Sequence, residues 1–101
     1  MSVQSVSART TAYLTVRFLD KNGVAASPAG ISYRIDCMTS GQEIRDDTPI
    51  DPQAILEITI KASENAMING TNTKERRRVT VVATYGEDDE AVGTFFYFVV
   101  Q

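Results

Sequence analysis

The sequence predicts an all-β protein of about seven short strands, and three observations carry the prediction. Four segments alternate apolar and polar residues with the period of two that a half-buried strand requires. Turn residues, above all Asn22-Gly23, Ser40-Gly41 and Asn69-Gly70, recur between such segments. Pro28, Pro49 and Pro52 fall in the connections, where a missing N–H costs no ladder bond. Strands this short and this regularly punctuated are the pattern of an antiparallel immunoglobulin-like β-sandwich. The sequence has no Trp and a single Cys, so the antibody hallmarks are missing and a fibronectin type III-like topology is the closer match. A small barrel is the alternative.

Each strand can be justified in turn. Residues 3–8 make a first edge strand. Residues 11–20 place Ala12, Leu14, Val16 and Phe18 on one face, with Thr15 and Arg17 on the other. Residues 31–38 put Ile31, Tyr33, Ile35 and Cys37 inward and Ser32, Arg34 and Asp36 outward. A brief strand over 42–46 follows the Ser40-Gly41 turn. Residues 54–60 bring Ala54, Leu56, Ile58 and Ile60 together, and residues 77–85 do the same for Val79, Val81, Ala83 and Tyr85. "SENAMI", residues 63–68, reads as one helical turn with Ser63 as its N-cap. The expected sheets are 3–8, 11–20 and 54–60 in one layer, and 31–38, 42–46, 77–85 and 91–100 in the other.

The last strand departs from alternation. "FFYFVV", Phe95 to Val100, is apolar on both faces. If "GEDDE", residues 86–90, is a plain five-residue hairpin loop, Tyr85 faces Ala91, Val81 faces Phe95 and Val79 faces Tyr97. Opposed residues share a face, so Phe95, Tyr97 and Val99 go inward. Phe96 and Phe98 then go outward, with Thr80 opposite Phe96, Arg78 opposite Phe98, and Val82 and Arg34 as neighbours. Two readings follow. Arg stems and Thr methyls cover the rings, or the rings form a contact surface. The candidate partner-binding set is Phe96, Phe98, Val82, Arg78 and Arg34.

Length and composition bound the rest. The 101 residues suit one domain, residues 1–101, that buries roughly 65% of its unfolded surface. A net charge of −3 is too mild to imply nucleic acid or membrane. Arg76-Arg77-Arg78, with Lys74 before it, reads as a solvated strand start, with contact to an acidic partner as the alternative. Cys37 allows no internal disulfide and, facing inward, is expected to be an inert core thiol. No charged n-region and apolar h-region open the sequence, and no apolar run approaches a membrane span, so neither signal peptide nor transmembrane helix is expected. The sequon Asn69-Gly70-Thr71 then reads as a turn.

Chemistry-bearing patterns are scarce. The sequence has no His, which removes His-based acid–base catalysis and His metal ligands. Asp46, Asp47 and Asp51, and Glu87, Asp88, Asp89 and Glu90, are oxygen clusters of the kind that bind Ca²⁺, but neither has EF-hand spacing. They read as solvated acidic loops. No phosphate loop, carboxylate pair or Ser-based triad can be drawn, so no catalytic residue, cofactor, metal or small-molecule substrate is expected, and the chain is not expected to be an enzyme.

The stretches "SVSARTTAYLTVRFLDKNG", "YRIDCMTSGQEIRDDTPIDP", "SENAMI" and "ERRRVTVVATYGEDDE" resemble a family of small structural proteins of tailed bacteriophages and prophages. The resemblance spans nearly the whole chain and includes no catalytic motif. It implies a virion component made in the host bacterial cytoplasm, one that decorates or cements the capsid or sits in the connector or tail. Its partners would be other virion proteins and copies of itself. A free binding module for a host surface or carbohydrate is the alternative, but its aromatics would be expected in loops rather than on a strand.

Overall fold

A computed structural model describes residues 4–86 and 89–101. Seven strands form: β1 (Gln4–Ser7), β2 (Ala12–Arg17), β3 (Gly30–Cys37), β4 (Glu43–Ile50), β5 (Ile55–Ile60), β6 (Lys74–Thr84) and β7 (Glu90–Val100). They make a five-stranded mixed sheet, in the order β1-β7-β6-β3-β4, and a two-stranded sheet, β2-β5. The inward residues of both sheets share one core, consistent with a β-sandwich. Val16, Leu56, Ile58 and Ile60 come from the small sheet, and Ile31, Tyr33, Ile35, Val79, Val81, Tyr97 and Val99 from the large one. The period-two alternation predicted these inward positions on β2, β3, β5 and β6, the hairpin pairing predicted Tyr97 and Val99, and Cys37 is a fully buried free thiol.

The structure corrects the predicted layers at β1. This strand joins β7 in parallel, with Ser5 beside Phe98 and Val6 beside Val99, rather than extending the β2-β5 sheet. The crossing between layers occupies residues 8–10. Arg9 adopts a positive φ of 62° there, and its N–H donates to the carbonyl of Asn65. β2 ends at Arg17 rather than residue 20. Its continuation is a single bridge, Leu19 to Ala25, closed by Asp20, whose carboxylate accepts from the backbone N–H of Asn22 and Val24. Gly23 supplies the positive φ of 81° that this turn needs. Gly70 does not use that freedom, and its turn is closed by the Asn69 side chain, which accepts from Thr71.

β4 runs from Glu43 to Ile50, past the predicted end at residue 46, and so includes Asp47 and Pro49, which sequence reasoning placed in connections. It is the edge strand of its sheet, which is where a strand tolerates Pro. The predicted helical turn is a 3₁₀ turn at Ala62–Asn65, and Ser63 lies inside it rather than capping it. Glu64 does the capping by accepting the N–H of Lys61 at 2.8 Å.

The β6–β7 hairpin is tighter than a five-residue loop. Tyr85 donates to the carbonyl of Asp89, and Thr84 pairs with Glu90, Val81 with Gly93, Val79 with Phe95 and Arg77 with Tyr97. The register is therefore two residues from the predicted one. A slip of two keeps every side chain on its expected face, so Phe95, Tyr97 and Val99 point inward. Tyr97 and Val99 are buried, whereas Phe95 is only half-buried. The described part of β1 pairs with β7 only from Tyr97 onward, and Phe95 lies in the groove between β7 and β2, beside Val16, Phe18 and Val81.

The largest departure from expectation is at the start of β6. Only Arg76 of the three arginines is an exposed strand-start residue. Arg77 and Glu75 are both 0% exposed and continue the inward face of the strand. The Glu75 carboxylate accepts from the backbone N–H of Ile68 and Asn69, both at 2.9 Å, from Asn72 Nδ2 at 3.1 Å and from Arg77 Nη2 at 3.0 Å. Arg77 also donates to the carbonyls of Glu64 at 2.7 Å and Ala66 at 2.8 Å. Buried charges persist only when paired and hydrogen-bonded, and here the connection from β5 to β6 wraps around the pair and supplies the partners. Asn65 extends the network. It accepts from Tyr97 Oη at 2.8 Å and donates to the carbonyl of Thr10 at 2.8 Å. Burial pushes the Tyr97 phenol up to about 12.

Removing one member of such a pair strands the other, so Glu75→Gln is expected to cost about 3–5 kcal/mol. Urea unfolding checks this, and a loss below about 1 kcal/mol would show the pair to be incidental. The same carboxylate sets an acid dependence. Burial alone would raise its pKa, but the four hydrogen bonds outweigh burial and hold it at about 2 against an ordinary 4.5. The folded-state value lies below the unfolded one. The stabilisation, at most about 3 kcal/mol, is therefore complete above the unfolded value and is lost as pH falls towards the folded one. Unfolding free energies across that window should fall more steeply for the wild type than for Glu75→Gln, and parallel curves would contradict the assignment.

Candidate protein interface on the outer face of the large sheet

Even-numbered residues of β3, β6 and β7 point away from the core, so the hairpin alternation builds one continuous face. Its cross-strand steps run Thr84–Glu90, Val82–Val92, Thr80–Thr94, Arg78–Phe96, Arg76–Phe98 and Lys74–Val100. All five predicted residues, Phe96, Phe98, Val82, Arg78 and Arg34, lie on this face, with Arg34 beside Thr80 in the β3–β6 ladder. Their pairings differ from those expected. Arg78 opposes Phe96 rather than Phe98, and Thr80 opposes Thr94 rather than Phe96.

The two rings are half-buried and each lies under a cation. The Arg76 guanidinium is 4.2 Å from the Phe96 centroid, and Lys74 Nζ is 4.5 Å from that of Phe98. Neither cation was among the predicted site residues. The signal was available in the sequence, because carrying the β6 alternation back from Arg78 to Lys74 places both on the outer face. At the far end of the hairpin the face is open and apolar, and Val92 is 60% exposed opposite Val82.

Arg34 and Arg78 are tied to carboxylates. Arg34 donates to Asp36 through Nε at 3.1 Å and Nη2 at 2.9 Å and reaches Glu43 at 3.1 Å, while Asp47 lies 3.9 Å away. Arg78 reaches Asp36 at 3.5 Å, and its buried Nε has no acceptor among the described residues. The hydrogen bonds from Arg34 hold the Asp36 carboxyl below the usual range despite partial desolvation, and the Arg34 guanidinium is correspondingly raised. Lys74 and Arg76, by contrast, form no ion pair among the described residues. The face is thus graded. Neutralised charge lies along β3–β4, free positive charge over the Phe rings, and Glu90 at the opposite end.

Asp46 and Asp47 are exposed on β4, Glu87 and Asp88 lie outside the described residues, and among the described residues no three Cys, Asp or Glu side chains converge. No family model matches the chain, and neither the curated proteins nor the solved structures give a significant match.

A cation over an exposed ring contributes about 0.5–1 kcal/mol. Arg76→Ala should therefore lower unfolding stability by no more than about 1 kcal/mol while increasing binding of a hydrophobic dye to the uncovered Phe96. Urea titration and dye fluorescence check the two effects. A loss above about 2 kcal/mol would mean that Arg76 has a structural role beyond covering the ring.

Proposed function

We propose that this chain is a non-enzymatic structural component of a bacteriophage virion. It is an immunoglobulin-like domain, closest to the fibronectin type III topology, that decorates or cements the capsid or sits at the head or tail. The division of β2 with β5 in one layer and β3, β6 and β7 in the other supports the fold reading, because it matches the B–E and C–F–G division of that sandwich. The sequence resemblance supports the location. The observation that carries the mode of action is the outer face of β6–β7, where two aromatic rings, two cations without ion pairs among the described residues and an exposed Val92 are gathered on one sheet surface. Apolar area rimmed by charge is what a protein neighbour recognises. In this reading the domain works by packing onto other virion proteins and copies of itself, with weak contacts multiplied by symmetry.

Two measurements test the proposal. Intact particles should contain the chain in a symmetric copy number, and its absence from purified virions would overturn the reading. The double variant Phe96→Ser with Phe98→Ser should remain folded but be incorporated several-fold less well. Unchanged incorporation would remove the outer face from the account.

A further inference from the structure

The outer face of the β6–β7 hairpin is complementary to itself when turned end for end, and we infer that a second copy of this chain occupies it. The inference rests on the reading of this face as a contact surface and names its partner. Three observations support it.

The first is charge. Lys74 and Arg76 stand exposed at one end of the outer face without ion pairs among the described residues, and Glu90 stands exposed at the other end, likewise without ion pairs. The second is the order of the steps. Thr80–Thr94 sits at the centre, Val82–Val92 and Arg78–Phe96 lie one step out on either side, and Thr84–Glu90 and Arg76–Phe98 lie two steps out. A two-fold axis through the Thr step, perpendicular to the sheet edge and bringing the faces together antiparallel, sets Val92 of one copy against Phe96 of the other. It also sets Glu90 against Phe98 of the other copy and the Lys74 ammonium that lies over that ring. An isologous contact requires this kind of self-matching order. A parallel arrangement would instead put the cations of the two copies together.

The third is area. Eleven residues of β6 and of β7 give a strip about 36 Å long at the strand rise, and the two strands give about 10 Å of width. That offers roughly 350 Å² per copy and about 700 Å² in total, the size of a weak, transient contact. A weak, salt-sensitive dimer follows, one that symmetry on a particle would reinforce.

Sedimentation equilibrium of the isolated chain tests this. The wild type should dimerise reversibly at high micromolar concentration, and the association should weaken about tenfold between low and high salt. The charge reversals Glu90→Lys and Lys74→Glu should each give monomers with unchanged far-ultraviolet circular dichroism. Carrying both in one chain should restore the dimer, because each end then meets its opposite again. Val92→Asp, at an exposed position, should abolish the dimer without touching either charged end. A wild type that is monomeric at millimolar concentration, a dimer indifferent to these reversals, or a failure of the double reversal to recover would overturn the inference. In the first case, a loss of virion incorporation in the Phe96→Ser, Phe98→Ser variant would show that the face serves a different protein. Unchanged incorporation would remove the contact surface as well.

Discussion

The buried Glu75–Arg77 pair is the constraint on which the rest of the structure depends. A carboxylate and a guanidinium with no exposed surface are tolerable only if nearly every donor and acceptor is met, and β6 alone cannot meet them. The connection from β5 supplies two backbone N–H groups to Glu75 and two carbonyls to Arg77. That segment is thereby held across the end of the sandwich. Asn65 sits within it and binds Tyr97 of β7 and the backbone before β2, so one polar cluster joins both sheets at the end where β1 crosses between layers. Glu64 adds a further tie through its ion pair with Arg45 on β4.

This arrangement also fixes the outer face. With Glu75 and Arg77 inward, the alternation of β6 sends Lys74, Arg76 and Arg78 outward, where they meet Phe96 and Phe98 of the paired strand. A strand that is apolar on both sides is then stable in water on its own. Its inner face is core, and its outer rings are partly covered by long cationic side chains whose stems supply apolar contact and whose heads remain solvated. The coverage is thin enough for a partner to replace, because an exposed cation over a ring is held by only about 0.5–1 kcal/mol. In the proposed reading, the same device leaves the surface available for packing.

Much of the fold was legible from local pattern. Ile31, Tyr33, Ile35 and Cys37 alternate without exception, and their burial follows directly. The outward placement of Phe96 and Phe98 survived an error in the hairpin loop because a two-residue slip preserves the face. What escaped depends on partners distant in sequence. Glu75 and Arg77 look like surface residues until Ile68, Asn69, Glu64 and Ala66 are known to surround them, so β6 was started too late and the cations over the rings were missed. The crossing of β1 to the other sheet turns on a positive φ at Arg9, a residue type that gives no such signal. Pro49 reads as a loop residue because nothing local marks β4 as an edge strand.

Native-state hydrogen exchange at the Ile68 and Asn69 amides tests the central role of the buried pair most directly. Both lie in the stretch after the 3₁₀ turn that has no regular secondary structure, yet each donates to the Glu75 carboxylate. If the pair organises the sandwich, these two amides exchange only through global unfolding, with protection matching that of core amides such as Val79. Exchange at the rate of the neighbouring Gly70 amide would show that the connection opens independently and that the Glu75–Arg77 pair does not hold the structure together.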